Sequence, residues 1–437
     1  MTPGVAATAL RGRGSGPGDR ADRARAGQLL LGTGIDSLGS GLSAGAAMLY
    51  FVTMVGLAPG AVTLAMSAGA VLGILTPVPV GRLADRYGLV RVYVGALVLR
   101  GVGVLCYATA TSYPAFFAFT LWLMALETTT FPLQQSLLGA VFEEGARVRL
   151  MTRVRAVRSA AFGVGAVVAG LALASGSRSL VVALLMVNGA SFLVLAWTVL
   201  LIGRAAPDAG AVAGSRTAAA PDAERSAPGR PVLKDLRFLG LCLSNGLLSL
   251  HETVLLVLMP LWLVVELGLS PALPGLLTAL YTGLTVVLQL VLGRLRWTEA
   301  ATGGTLLVSG AFLAAACLVC AVADGLTAAA WQVVLCVLAV VLLTVGENLQ
   351  MVAAWQTVFD LAPPERRGEY MGAFNTGSGV QSVIGPTLTH RVVLPLGPAG
   401  WLLLAGLLGG AAIAFGSLAK GAQASRTARS EDQGANV

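Results

Sequence analysis

Six ionisable residues of this 437-residue chain lie inside long apolar segments, where water cannot solvate a charge. They are Asp36, Arg100, Glu127, His251, Glu252 and Glu347. A charged side chain at the centre of a lipid bilayer costs about 3 kcal/mol or more, so such residues mark ion or substrate pathways by default. A carboxyl group shielded from water exchanges protons closer to neutral pH, and histidine titrates near neutrality. The chemistry that this set predicts is proton binding coupled to the binding of a second molecule.

The composition shows that these apolar segments belong to a membrane protein. Only 11% of the residues are charged, 56% are hydrophobic and the mean hydropathy is +0.80. A soluble chain carries about 25% charged residues. Soluble enzymes, nucleic-acid-binding proteins and secreted disulfide scaffolds are therefore excluded as classes.

Nothing in the sequence indicates a metal, a cofactor or an ATP-driven reaction. The five cysteines lie in apolar runs and are expected to be buried, inert thiols rather than metal ligands; they are Cys106, Cys242, Cys317, Cys320 and Cys336. No phosphate-binding loop or Ser/His/Asp constellation is present, which argues against a membrane enzyme. The proton gradient is the expected energy source, with no cofactor.

The apolar runs predict an all-α membrane protein with twelve transmembrane helices, because only helices satisfy their own backbone groups in hydrocarbon. The predicted spans are 28–52, 60–80, 90–110, 114–141, 154–175, 180–203, 238–266, 272–293, 303–323, 327–357, 368–391 and 399–419. They form two six-helix bundles, 28–203 and 238–419. A disordered tail (1–27), a linker (204–237) and a polar tail (420–437) are all expected to be cytoplasmic.

The basic residues predict the orientation of these spans. If the N-terminus is cytoplasmic, 26 of the 29 basic residues fall on the cytoplasmic side. Only Arg178 and Arg391 fall outside, and Arg100 lies within a span. This bias places both termini in the cytoplasm and the chain in the cytoplasmic membrane. It also accounts for the net charge of +8 without a nucleic-acid partner.

The second half of the chain repeats landmarks of the first half at nearly constant spacing. The matches are Asp36 with Glu252, Gly81-Arg82-Leu83 with Gly293-Arg294-Leu295, Glu127 with Glu347, Val141-Phe142 with Val358-Phe359, and Gly163 and Gly170 with Gly377 and Gly385. Their offsets lie between 212 and 220 residues. Two parallel six-helix halves predict a cavity between them at mid-membrane and an alternating-access transporter.

The loop after the second span carries a recognisable motif, Gly81-Arg82-Leu83-Ala84-Asp85-Arg86-Tyr87-Gly88, followed by Arg91. It resembles the conserved loop G-x-L-a-D-r-x-G-r-r of the major facilitator superfamily. The resemblance implies a conformational latch between the two halves, made by Gly81, Arg82, Asp85, Arg86, Gly88 and Arg91. Asp85 could also cap the start of the third span. The alternative is a positively charged loop with a helix cap and no switching role.

The same resemblance implies that spans one, four, seven and ten line the central cavity. Each of these four spans carries one acid, namely Asp36, Glu127, Glu252 and Glu347 in that order. The predicted substrate and proton-coupling set is these four acids with His251 and Gln134, which shares a helix face with Glu127. Secondary candidates are Arg100 as partner of an acid, Arg158, and the aromatic residues Trp122, Tyr281 and Trp355; the aromatic residues could equally pack in the core or face lipid.

The chain is similar to drug/proton antiporters, which implies proton-coupled efflux of a small amphipathic molecule. Those proteins end a glycine-rich pattern of span five with Gly-Pro; here Gly163, Gly165 and Gly170 occupy span five, whereas Gly385-Pro386 lies in span eleven. The expected partners are a small-molecule substrate, protons and membrane lipids, and the expected assembly is a monomer. A proton-coupled importer, symporter or facilitator of a small metabolite, and a lipid flippase, are the alternatives.

Overall fold

The computed structural model describes residues 17–44, 46–141, 144–205, 232–292, 299–362 and 366–434. Six helical segments form the first half: α1 (Pro17–Ser43, continued by Ala46–Leu49 and Tyr50–Met54), α2 (Pro59–Leu75 and Pro77–Tyr87), α3 (Leu89–Ala108), α4 (Tyr113–Val141), α5 (Glu144–Ala174) and α6 (Arg178–Ala205). Six form the second: α7 (Leu236–Glu266), α8 (Leu273–Leu292), α9 (Glu299–Asp324), α10 (Ala329–Leu361), α11 (Arg367–Leu388, continued by Thr389–Val393) and α12 (Pro398–Gly434). No strand occurs in these ranges.

Ten of these helices are long and apolar enough to cross a membrane, or eleven when the two segments of α2 count as one span. The segments of α2 meet at an angle of 43°. The bend falls at Thr76, before Pro77, because proline cannot donate the backbone hydrogen bond that would continue the helix. The twelfth, α11, is more polar and ends in an irregular turn. The twelve-helix architecture of the sequence analysis therefore stands.

The largest differences between the predicted helix boundaries and those of the structure lie at the two ends of the chain. The first helix begins at Pro17 rather than at residue 28, so residues 17–27 of the expected tail are helical. Proline is favoured at a first helical position, and the Ala- and Arg-rich residues that follow are good helix formers. The last helix likewise runs on through the expected polar tail to Gly434. Residues 1–16, the central part of the linker (206–231) and residues 435–437 lie outside the described residues.

The helix packing repeats in the two halves. In the first half α1 packs on α5 and α6, α3 on α4 and α6, and α2 on α4. In the second half α7 packs on α11 and α12, α9 on α10 and α12, and α8 on α10. Adding six to each helix number of the first set gives the second set. The internal repeat therefore exists as a structural pseudo-symmetry.

The ends of α1 and α7 reproduce this repeat in backbone detail. Each ends in a wide π-helical turn, Tyr50–Met54 in α1 and Trp262–Glu266 in α7. Each is followed by a glycine with positive φ, Gly56 at 81° and Gly268 at 64°. A left-handed backbone at these positions favours glycine because it has no Cβ. The turn in α7 begins 212 residues after the turn in α1, and Gly268 lies 212 residues after Gly56. The Gly-Arg-Leu motifs that begin at Gly81 and Gly293 have the same spacing.

The two halves touch close to the membrane face opposite the chain termini, which we call the far face. There α5 packs on α8 and α2 packs on α11. The backbones of Gly170 and Gly275 approach so closely that a Cβ on Gly275 would lie 3.0 Å from the Cα of Gly170. Across the other contact, the hydroxyl groups of Ser67 and Thr387 lie 2.8 Å apart. These approaches close the far face.

An apolar cluster drawn from both halves seals the far face. Tyr50, Phe51 and Phe116 pack there with Val257 and Leu261 of α7, and all five are buried. The ring centroids of Phe51 and Phe116 lie 4.6 Å apart. Such a cluster excludes water, because the dense packing of apolar groups leaves no voids larger than a solvent molecule. At the face on which α1 begins and α12 ends, the terminal face, a separate cluster packs the first half. The core of the second half extends along the length of its helices.

The start of α7 gives the first prediction, which concerns stability. The Asp235 carboxylate accepts a hydrogen bond from the backbone N–H of Phe238 at 3.1 Å and one from the Tyr370 hydroxyl at 3.2 Å. Asp235→Ala is expected to destabilise the protein by about 1 to 2 kcal/mol, because the cap is lost. Asp235→Asn is the matched control, since asparagine caps equally well. Thermal unfolding in detergent checks this; equal melting temperatures for the two variants would contradict it.

Candidate functional site

A cavity of about 540 Å³ lies between the two halves, on the terminal side of the apolar seal. Helices α1 to α7 and α11 line it. Its ionisable lining residues are Arg100, Glu127 and Glu252. The larger apolar part of the wall includes Met66, Met124, Tyr107, Phe116, Phe162 and Phe192. Concave sites of this size, mostly apolar with a few convergent polar groups, are typical of small-molecule binding sites.

Arg100 and Glu127 form the ionic contact of the first half. The Arg100 Nη2 atom lies 3.5 Å from Glu127 Oε1, and Arg100 Nη1 donates to the hydroxyl of Thr130 at 3.2 Å. The guanidinium group also lies over the ring of Phe192, 4.5 Å from its centroid. These three contacts hold the guanidinium of α3 against α4 and α6. The Glu127 side chain keeps 54% of its surface exposed, so a molecule in the cavity can reach it.

Asp36 lies behind this pair rather than on the cavity wall. Its Oδ1 atom is inaccessible and accepts no hydrogen bond in the described part of the chain. Arg100, Arg158 and Glu127 all lie within electrostatic range of its carboxyl group. Arg158 itself is exposed. The two acids and two arginines of the first half therefore form one charged group.

Glu252 projects into the cavity from α7 of the second half. Its Oε2 atom accepts a hydrogen bond from the Gln381 amide of α11 at 2.9 Å. The Oε1 atom of that amide accepts a hydrogen bond from the Thr253 hydroxyl at 2.5 Å. Within the described residues, no arginine or lysine forms an ion pair with Glu252. Among the described residues, Glu252 is therefore the cavity carboxylate that is hydrogen-bonded to a neutral amide and not ion-paired with a cation.

His251 and Glu347 form a buried pair beside Glu252. The His251 Nε2 atom lies 3.7 Å from Glu347 Oε2, and the Tyr281 hydroxyl donates to Glu347 Oε1 at 2.7 Å. The side chains of His251 and Glu347 are only 7% and 11% exposed. The pair lies behind the cavity wall, because neither residue contributes to the lining. A cluster of this kind can hold a proton between a carboxylate and an imidazole.

The charged groups of the two halves face one another across the cavity. Glu252 lies within electrostatic range of Glu127 on the opposite wall, and also of His251 and Glu347. The acids thus form a series, Asp36, Glu127, Glu252 and Glu347, that crosses from one half to the other. Arg100 accompanies the first two and His251 the last two.

Several residues of the predicted set lie elsewhere. Gln134 is 7% exposed and donates to the Thr33 hydroxyl of α1 at 3.3 Å, so it joins two helices and does not line the cavity. Trp122 is 42% exposed and also lies outside the cavity. Trp355 packs edge-on against Phe374, with ring centroids 5.4 Å apart. The predicted cavity helices were correct for α1, α4 and α7, but α10 contributes no described residue to the lining and α2, α3, α5, α6 and α11 do. The sequence could not fix how each helix is rotated, so it could not say which side chains face the cavity.

The loop motif adopts a different local structure from the expected cap. The second segment of α2 continues through Asp85 to Tyr87, and Gly88 occupies the N-cap position of α3 without a side-chain bond. The capping role of Asp85 was therefore wrong: Asp85 lies one turn too early, inside α2. Its side chain is exposed. Gly88 has φ of 94°, which glycine adopts most readily. The latch role remains a prediction.

Sequence reasoning missed Gln381, which binds the cavity carboxylate. Glutamine carries no charge, so its presence in the Gly- and Ser-rich stretch of α11 gave no signal comparable to an acid in an apolar run. Gln381 could have been identified as a site residue because burial of a glutamine amide costs free energy unless the amide is hydrogen-bonded. Thr253 was missed as a site residue for the same reason, because threonine hydroxyls are common in membrane helices and usually bond to their own backbone.

The Arg100–Glu127 contact gives a prediction on coupling within the site. Arg100→Leu is expected to destabilise the protein because Glu127 and Asp36 lose a compensating cation. The double variant Arg100→Leu/Glu127→Leu is expected to recover part of the loss, with a coupling energy of about 1 kcal/mol, reduced by the exposure of Glu127. Thermal unfolding of the four proteins in detergent completes the cycle. Strictly additive effects would show that the two side chains do not interact.

The chain is similar to known transporters both in sequence and in structure. The sequence model described as Major Facilitator Superfamily matches residues 29–386. Among solved structures, the nucleoside transporter NupG superposes with a TM-score of 0.70 at 15% identity, over 90% of this chain and 98% of that chain. The POT family transporter PepTSo gives 0.69 at 15% identity, over 92% and 98%. A bacterial homolog to the human lysosomal transporter Spinster, inward-facing and occupied, gives 0.64 at 13% identity, over 94% and 98%.

At these identities the structural likeness concerns the fold alone. No significant match to a curated protein sequence was found. The family match covers both halves of the chain from α1 into α11.

Proposed function

The chain belongs to the major facilitator superfamily and is a multi-pass membrane transporter, and from this premise we propose that it is a proton-coupled exporter of small amphipathic cations. The cavity between the two halves binds the substrate, and alternating closure of the two faces carries it across. The proton gradient supplies the energy. The chain resides in the cytoplasmic membrane as a monomer with both termini in the cytoplasm.

The observation that carries this proposal is the contrast between the two walls of the cavity. Most of the lining is apolar and rich in methionine and aromatic side chains, which adapt to varied apolar ligands and can stack on them. Glu252 opposes them with a carboxylate that no lysine or arginine of the described residues neutralises. An apolar molecule with one positive charge satisfies both walls, since it supplies the missing counter-ion.

The closed far face supports alternating access. The seal and the contacts of α5 with α8 and α2 with α11 lie on one side of the cavity. With the proposed orientation this conformation receives substrate from the cytoplasm, as an exporter must. The bent second segment of α2, which carries Arg82, Asp85 and Arg86, is then at the terminal face, which is the open face in this proposal. In our proposal it latches the halves when that face closes.

Everted membrane vesicles with an imposed pH gradient test this function. Addition of tetraphenylphosphonium, an apolar cation, to vesicles containing the protein is expected to dissipate the gradient and to concentrate the cation inside. Vesicles without the protein are the control. The proposal fails if no proton flux follows the addition, or if cation uptake is independent of the gradient.

A proton-coupled importer of a small metabolite is the second candidate. The polar lining groups that favour it are Arg100, Ser40 and Asn188, which could bind a neutral or anionic group. The nucleoside and peptide transporters named above share the fold. Cation accumulation in right-side-out rather than everted vesicles would favour import.

A further inference from the structure

We propose that the transported proton resides on the buried pair Glu347 and His251, whereas the cation binds at Glu252 in the cavity. The inference rests on the proposed function and divides it between two neighbouring sites. Only a proton is taken up at the first site: it attaches to the pair on loading and leaves to water on release, and no other bond changes.

The hydrogen bonds of His251 fix where this proton goes. The His251 Nδ1 atom lies 2.8 Å from the carbonyl oxygen of Leu248. A carbonyl only accepts, so Nδ1 carries a hydrogen in both forms of the ring. The Nε2 atom of the neutral ring therefore has a free lone pair, which faces Glu347 Oε2. One added proton either bridges to Oε2 from Nε2 or sits on Oε2 and faces Nε2.

The Glu347 carboxylate has one oxygen in use and one open. Its Oε1 atom accepts from the Tyr281 hydroxyl at 2.7 Å. Its Oε2 atom is inaccessible and has no hydrogen bond in the described part of the chain. A buried polar atom without a partner costs free energy, which a proton shared with His251 removes. The titratable groups that face the pair are Glu252 from α7 and Tyr281 from α8, with Glu127 acting on Glu252 from α4.

The cavity wall separates the two sites. Glu252 is exposed and lines the cavity, whereas Glu347 and His251 are buried behind it. A bulky cation in the cavity can contact Glu252 but cannot reach Glu347. A proton, which needs only a transient chain of water, can reach both. The difference in size therefore restricts the cation to Glu252, whereas the proton can bind to the buried Glu347–His251 pair.

The adjacency of residues 251 and 252 couples the two sites. With the cavity empty, the negative charge of Glu252 attracts the proton held on the neighbouring His251–Glu347 pair. A cation bound at Glu252 cancels that charge, so the proton of the His251–Glu347 pair is held less tightly and leaves. The effect is reciprocal, because a proton on the pair weakens cation binding by the same factor. The protein therefore exchanges the proton for the cation, although the two ligands bind to different acids.

Gln381 is a positioning residue in this exchange. Its amide donates to Glu252 and, in turn, accepts from Thr253. A cation that binds Glu252 competes with this donor and releases the amide. Gln381 therefore links the binding of a cation in the cavity to the contact between α7 and α11.

Infrared spectroscopy of the purified protein without substrate tests the proton site. A pH titration from about pH 5 to about pH 9 is expected to show a protonation band of the pair in the wild type, which is a carboxylic acid band when the proton sits on Oε2 and an imidazolium band when it sits on Nε2. The band is expected to be lost in Glu347→Gln and kept in Glu252→Gln. Tyr281→Phe, which preserves the packing, is expected to keep the band at a changed frequency, because the phenol no longer bonds to Oε1. A band that survives Glu347→Gln, or is absent from the wild type, overturns the assignment.

Proton release on addition of tetraphenylphosphonium in weakly buffered solution tests the coupling. The wild type is expected to release protons as the cation binds, and its apparent Kd to rise about tenfold per unit of falling pH where the pair is protonated. Glu347→Gln is expected to bind the cation with no release and no such pH dependence. Release that persists undiminished in Glu347→Gln overturns the coupling. If the wild type binds no cation, the proposed substrate class fails, while the infrared result still decides the proton site.

Discussion

Glu252→Gln is expected to lower the affinity for tetraphenylphosphonium about 10- to 100-fold. The change leaves the shape of the side chain but removes the negative charge that opposes the apolar wall. Hydrogen bonds and contacts to a charged group are worth about 1.5 to 3 kcal/mol, which corresponds to this range. Equilibrium binding of the radiolabelled cation to detergent-purified protein measures the effect, and transport in everted vesicles is expected to fall with it.

Glu127→Gln is the matched control for this experiment. Glu127 lines the same cavity from the opposite wall but is paired with Arg100. Because Arg100 already engages the Glu127 carboxylate, Glu127 is not expected to bind the cation directly, and a smaller loss of cation binding is expected from Glu127→Gln than from Glu252→Gln. If both substitutions leave cation binding unchanged, the carboxylate wall has no part in recognition. If Glu127→Gln has the larger effect, the cation lies against the first half instead.

Gly275→Ala is expected to have the second large effect, by preventing closure of the far face. A Cβ at residue 275 would overlap the backbone oxygen of Ala166 and press on the Cα of Gly170. Backbone atoms cannot move aside as a flexible side chain does, so α5 and α8 must separate. Overpacking of a tight contact costs about 1 to 3 kcal/mol, enough to shift a conformational population by about 5- to 150-fold. Transport is expected to be lost because the cavity no longer closes on that side.

Spin labels at Ala58 and Ser270, in a variant without the native cysteines, report this opening. Both positions are exposed and lie in opposite halves at the far face. Gly275→Ala is expected to move the distance distribution between the labels to longer values. Gly283→Ala is the matched control on the same helix, because a Cβ there meets no atom within 4 Å. Unchanged distances in Gly275→Ala would show that the α5–α8 contact does not control the far face.

The sequence predicted the architecture well because the bilayer imposes strict demands on it. Twelve apolar runs could only be helices in a bilayer. Acids at equivalent positions, Asp36 with Glu252 and Glu127 with Glu347, predicted two equivalent halves. The structure realises that repeat in the packing of equivalent helices and in the paired turns at Gly56 and Gly268. The ends of the helices were less predictable. The polar residues after Pro17 and beyond residue 420 continue helices that the hydropathy pattern ended, because helix propensity does not require an apolar side chain.

The site residues were predictable as a set but not in their arrangement. An ionisable residue in a membrane span attracts attention for its cost alone, and the described structure does bring the acids of α1, α4, α7 and α10 toward one region. Their differing surroundings came from packing. Arg100 from α3 lies against Glu127, whereas the equivalent acid Glu347 meets Tyr281 of α8 and His251 of α7. Repeat symmetry would have given the two acids similar partners.

The sequence by itself determined that this chain lies in a membrane, that it consists of two equivalent helical halves, and that a few acids remain in the apolar interior. These properties follow from the cost of burying charge and backbone polar groups, which depends on residue type and order alone. Only the tertiary structure decided which face is closed, which acid is open to the cavity and which lies behind its wall. Those properties depend on the rotation of each helix about its axis, and packing between helices distant in sequence sets that rotation.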